Sequence, residues 1–231
     1  MTAQTPQQGQ VDVYPSVALQ TGFLAQAFLW MFAGLALTAG VAFVVQGNPT
    51  VMGTVADLWL PVVFGQLALA WGIGLGIGRM NATLALGLFF VYAASLGFTI
   101  GVIVSLYTTE SVFTAFLSAS AMFGAAGIYG VVTKQDLTGL GGILTLGIFG
   151  LFAAMLVNLI IPNGTFGWII SLVGVGLFTV LTAYDVQKIS RGGLVERAGS
   201  MEKAAVLGAL HLYLDFVNLF LFLLRLLGSR R

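Results

Sequence analysis

His211-Leu-Tyr-Leu-Asp215-Phe-Val-Asn218-Leu-Phe-Leu-Phe-Leu-Leu-Arg225 is an almost unbroken apolar run with a carboxylate planted near its middle. An ionised Asp at the centre of a membrane helix costs about 2.5–3.5 kcal/mol on insertion scales. A chain that keeps such a residue turns it inward, towards a partner or a water-filled cavity. The expectation is that the rest of the chain surrounds this helix.

Composition agrees with a membrane setting. The chain has 231 residues, of which 58% are hydrophobic and 7% charged, and its mean hydropathy is +1.01. A soluble domain carries about 25% charged residues, so this chain cannot clothe itself in water. The net charge of +1 and the lack of a basic run argue against a nucleic-acid binder. Cysteine is absent, which removes disulfides, thiolate metal sites and thiol catalysis.

Residues 1–20 read as a polar tail whose only charge is Asp12, without the basic region that opens a signal peptide. The first span therefore doubles as an uncleaved targeting signal. Residues 21–231 read as one transmembrane helical domain with seven apolar segments: 23–45, 58–78, 83–105, 112–131, 141–161, 166–184 and 204–227. Each is long enough to cross about 30 Å of hydrocarbon at about 1.5 Å per residue. The breaks carry turn chemistry: Gly47-Asn48-Pro49, Arg79-Met80-Asn81, Thr108-Thr109-Glu110, Lys134-Gln135-Asp136 and Pro162-Asn163-Gly164. The short third-to-fourth and fifth-to-sixth breaks predict antiparallel neighbours.

Loop charge sets the orientation. Arg79, Lys134, Lys188, Arg191, Arg197 and Lys203 all fall in loops on one side, and the loops holding Asp57, Glu110 and Asn163 have no Lys or Arg. That side, with the N-terminus, reads as cytoplasmic. Arg230 and Arg231 are discordant if the last segment crosses fully, which leaves a re-entrant last helix as an alternative. Gly74 and Gly78 form a small-xxx-small pair that predicts close approach of another helix. No strand–loop–helix context accompanies these glycines, so they are not a nucleotide fingerprint.

Three ionisable residues stand apart. Asp185 ends the sixth segment, Asp215 lies mid-way along the seventh, and Arg79 closes the second. The plain alternatives are an interfacial Asp185 pairing with Lys188, a hydrogen-bonded structural Asp215, and a snorkelling Arg79. His211 lies one turn before Asp215 on the same face, placed to tune it or exchange a proton with it. Asn218 is placed to join the same polar cluster.

These residues also carry a family resemblance. The run Leu-Tyr-Leu-Asp215-Phe-Val-Asn218-Leu-Phe, followed by Leu-Leu-Arg-Leu-Leu-Gly228, resembles the C-terminal signature of the Bax inhibitor-1 family in a bacterial member. Tyr184-Asp185-Val-Gln-Lys-Ile is similar to its penultimate helix, and Arg79-Met-Asn-Ala-Thr leading to Phe89-Phe-Val-Tyr92 to its second-to-third helix region. The resemblance implies an all-α bundle of six helices around a central C-terminal seventh, acting as a pH-sensitive calcium leak. It also implies that Asp185 and Asp215 form a dyad for which Arg79 competes; two carboxyls alone would bind calcium only weakly and transiently.

Two carboxyls brought together in low dielectric resist ionising together, so such a pair titrates as a unit. On this reading Arg79 on the dyad latches the second helix shut, and a proton or calcium releases it. No enzyme activity and no resident cofactor are expected. The partners are the lipid bilayer and calcium ions. A non-conducting regulator that binds other membrane proteins is the alternative, and the family resemblance permits it. An intramembrane aspartyl protease is remote, because Leu212-Tyr213-Leu214 stands where Gly-x-Gly would have to precede the second Asp. Short loops and no cleavable signal suit a bacterial inner membrane.

Overall fold

The computed structural model describes residues 17–231, with side chains from residue 22. The expected polar tail therefore falls, up to residue 16, outside the described residues. The helices are α1 (Val17–Gln46), α2 (Pro49–Asp57), α3 (Trp59–Gly76), α4 (Ala82–Ser105), α5 (Thr109–Val132), α6 (Gly141–Ile160), α7 (Gly164–Ser190), α8 (Val195–Ala198) and α9 (Met201–Leu227). Seven of them are long and apolar enough to cross a membrane. The chain is an integral membrane protein whose lipid-facing surface is apolar, with Phe43, Leu75, Leu146 and Ile160 among its most exposed side chains.

The residues that punctuate the sequence also start the helices. Asn48, Asn81, Thr108, Asn163 and Ser200 each accept a hydrogen bond from a first-turn backbone N–H of the helix that follows. Pro49 occupies the first turn of α2, where its missing N–H costs nothing. This cap and proline fold residues 49–57, which the sequence reading left as a connection, into a short helix.

The last helix is the axis. In α9, 78% of the apolar window is buried, against 11% in α6 and 17% in α3. It packs against α1, α5 and α7 and more lightly against α4, while α3 leans mainly on α4 and α6 mainly on α7. The order of burial places α3 and α6 as outer helices and α9 at the centre.

Close approach occurs at other glycines than Gly74 and Gly78. A Cβ on Gly74 would meet nothing within 4 Å, and one on Gly78 only the Arg197 carbonyl at 3.4 Å. On α4, by contrast, a Cβ on Gly97 would stand 2.5 Å from Val41 Cβ and 2.9 Å from the Thr38 carbonyl of α1. The difference arises because α3 has no helix on that face, whereas α4 is pressed along α1.

A second correction concerns α4 and α5. A three-residue link joins them, yet they do not pack together as neighbours; α5 packs on α7 and α9. The C-terminal residues hold the link instead. Thr108 N–H donates to the Ser229 carbonyl (3.1 Å), Arg231 N–H to Leu106 (3.0 Å), and Ser229 N–H to Ser111 Oγ (2.9 Å).

The same contacts decide the course of the last helix. Lys203, in the first turn of α9, reaches Gly78 just past the end of α3, and the residues after α9 pair with the far end of α4. Helix α9 therefore runs the full height of the bundle rather than turning back. The discordant arginines have partners at that far end: Arg230 lies over the Tyr107 ring at 5.9 Å and Arg231 donates to Thr109 Oγ1 at 3.3 Å.

Candidate functional site

Packing of α7 on α9 brings Asp185 and Asp215 into one interior region. Asp215 is 4% exposed and Asp185 8%. Small residues make the approach possible. On α5, a Cβ at Gly130 would collide with the Ala183 carbonyl, two residues before Asp185. On α9, Gly208 lies against Ile189 of α7 and Ala27 of α1, at 3.2 and 3.3 Å from where its Cβ would stand. These contacts set the depth at which the two carboxylates face the bundle interior.

Asp215 lies within electrostatic reach of Asp185. Across the contact of α7 with α9, His211 Nδ1 stands 3.6 Å from Asp185 Oδ1. That is too long for a hydrogen bond and becomes an ion pair only when the imidazole is protonated. His211 Nδ1 and Asp215 Oδ2 are both buried with no hydrogen-bond partner. The region thus holds two carboxyls and one imidazole with acceptor capacity to spare.

The remaining expected site residues lie elsewhere. Arg79 is exposed at the end of the turn Ile77–Arg79, and no ion pair or hydrogen bond joins it to either carboxylate among the described residues. Asn218 turns its amide back to the Leu214 carbonyl at 2.8 Å, so it serves its own helix rather than the carboxylates. Lys188 does not pair with Asp185; its ammonium lies over the Tyr184 ring, 5.4 Å from the centroid.

Two further buried polar groups escaped the sequence reading. Tyr213, two residues before Asp215, shares a 2.6 Å hydrogen bond with Thr38, whose hydroxyl also reaches the Ala93 carbonyl at 2.8 Å. This ties α9 to α1 and α4. Gln187, two residues after Asp185, accepts from Leu137 N–H (2.8 Å) and donates to the Gln135 carbonyl (2.9 Å), which fastens the α5–α6 connection across the end of α7. The available signal was polarity inside an apolar run, which Thr38 and Tyr213 show; Gln187 lies past the apolar segment among polar neighbours and gave no such signal.

Among the described residues no group of three or more His, Cys, Asp or Glu side chains is arranged to hold a metal ion. Two carboxylates alone provide a landing point for a hard cation, well short of the six to eight oxygens of a tight calcium cage.

A seven-helix membrane bundle closed around a helix with a buried carboxylate is the class of protein that this geometry defines. Within that class the chain belongs to the Bax inhibitor-1 family: the family model described as "Inhibitor of apoptosis-promoting Bax1" matches residues 20–231. An uncharacterized protein of Deinococcus radiodurans is 42% identical over 209 residues, 90% of this chain and 90% of the relative. The inner membrane protein YbhL of Escherichia coli is 38% identical over 225 residues, 95% of this chain and 96% of YbhL. An uncharacterized protein of Borreliella burgdorferi is 34% identical over 220 residues, 93% of this chain and 95% of the relative.

Proposed function

We propose that the protein is a pH-responsive cation leak of a bacterial inner membrane, with calcium as the permeant ion, no enzymatic activity, and the end bearing Arg79 and Lys203 in the cytoplasm. The observation that carries this reading is a buried carboxylate oxygen on the central helix with no partner of its own. Such a group is costly unless a proton, water or cation visits it, and a path for visitors is what a leak requires.

Asp185 and Asp215 form the pH-sensing pair, and His211 is placed to tune it. A proton held by the pair removes charge from the path, and its loss restores a site where calcium lands transiently on Asp185 and Asp215. The conformation described above is the one in which Arg79 is away from the pair; Arg79 enters the competition when α3 shifts inward. Location rests on the seven apolar helices and on the likeness to an inner membrane protein of Escherichia coli.

The test is calcium flux into proteoliposomes between about pH 6 and 8, the span around neutrality. Wild type should show a pH-dependent flux that Asp215→Asn and Asp185→Asn flatten. An unchanged profile in both variants would remove the pair from gating. The family description names an inhibitor of another protein, which favours a non-conducting regulator as the second reading. Absence of flux at every pH, together with capture of a membrane partner, would select it.

A further inference from the structure

We infer that Arg197 and Lys203 are positioning residues that moor the end of α3 to the helices carrying the carboxylates, and that this mooring sets how readily the path opens. The inference deepens the leak reading and rests on it for its functional arm.

Along its length α3 is thinly held. Its packing is mainly on α4, and Gln66 is its buried polar anchor, donating to Thr99 Oγ1 and the Ser95 carbonyl at 2.8 Å each. Beside that anchor a cavity of about 310 Å³ opens between α3 and α4, lined by Val62, Gly65, Phe98 and their neighbours. A Cβ added at Gly72 or Gly74 would meet open space. Towards its end α3 plunges further inward, where Ile73, and Ile77 just past it, are 0% and 1% exposed.

At that same end two cations arrive, one from the α7–α9 connection and one from the first turn of α9. Arg197 of α8 donates to the Gly74 carbonyl at 2.9 Å, and Lys203 of α9 donates to the Gly78 carbonyl at 3.2 Å. The last carbonyls of a helix lack intrahelical donors and carry the negative end of its dipole, so cationic donors suit them. With no side chain at either glycine, the carbonyls are open to approach. The connection itself is short: α8 has four residues and ends at Gly199, whose φ of 79° makes the turn into α9. Asp185 lies five residues before the end of α7, and Asp215 is on α9. A change in how α7 and α9 sit together therefore reaches α3 through Arg197 and Lys203.

The chain has no cysteine, so label sites can be introduced singly. Spin labels at Leu75→Cys on α3 and Glu196→Cys on α8, both exposed positions, report the separation in proteoliposomes. The labelled parent should give one narrow distance distribution. Arg197→Met with Lys203→Met, which keeps both stems and removes the donors, should broaden it towards longer distances and raise the leak about three- to tenfold at every pH. Each single substitution should give an intermediate shift, which keeps the test open if the double variant folds poorly. Lys134→Met, which removes one charge at the same end from an exposed side chain, should change neither readout. An unchanged distribution in the single and double variants would overturn the mooring. A changed distribution without any flux would uphold the mooring and overturn the leak.

Discussion

Replacing Asp215 by Asn should make the protein more stable while it loses its pH response. Asp215 is 4% exposed and its Oδ2 has no hydrogen-bond partner, so at neutral pH the native side chain is a net burden on the fold. A buried polar group left unsatisfied costs about 1–3 kcal/mol. Asn keeps the volume, cannot ionise, and puts an amide donor on the helix face that also carries His211, four residues earlier. A gain of about 1–3 kcal/mol follows, which for a chain of this length raises the melting midpoint by about 2–12 °C. Thermal unfolding of wild type and variant in the same detergent at pH 7 measures it, and the flux assay on the same preparations supplies the functional half. Such opposition between stability and activity is expected where a strained group is kept for function. A midpoint that falls by more than about 2 °C would refute the reasoning, because it would mean that Asp215 is a satisfied structural acceptor.

Three further outcomes test the fold around the pair. Gly97→Ala should destabilise by about 1–3 kcal/mol, since its Cβ would sit 2.5 Å from Val41 Cβ, whereas Gly72→Ala has open space and should not; equal midpoints would contradict the α1–α4 contact. Thr38→Val removes the hydroxyl shared by Tyr213 and the Ala93 carbonyl and should lower stability by about 1–2 kcal/mol, with Tyr213→Phe adding little on top in a double-mutant cycle. The Asp136 carboxyl is held below its usual range by the Thr138 hydroxyl, then by the Thr138 N–H and Arg191. Its contribution is present above the ordinary carboxylate range and lost as pH falls through the lowered value. The midpoint difference between wild type and Asp136→Asn should therefore shrink below about pH 4, and a difference constant down to pH 2 would contradict the assignment.

Much of the architecture was legible in the chain. Seven apolar segments and the Asn and Thr residues before them specify helices and their starts, because a backbone in hydrocarbon must satisfy its own hydrogen bonds and caps relieve the first turn. Asp215 stood out for the same reason: a carboxylate in an apolar run is expensive enough to demand an inward face. Short connections were a poorer guide. The link between α4 and α5 is as tight as a hairpin, yet the C-terminal residues pair with it and the two helices diverge, since a link constrains only the ends it joins.

What the sequence determined by itself is the membrane setting, the seven long apolar helices, the family, and the handful of side chains too polar for their surroundings. The tertiary structure alone decided which of them meet. Helical periodicity tells which residues share a face, but the axial shift and rotation of one helix against another are set by close contacts such as Gly97 on Val41, Gly130 on Ala183 and Gly208 on Ile189. Those contacts brought His211 to Asp185, left Arg79 outside, and turned Arg197 and Lys203, two loop cations by sequence, into the residues that hold the end of α3.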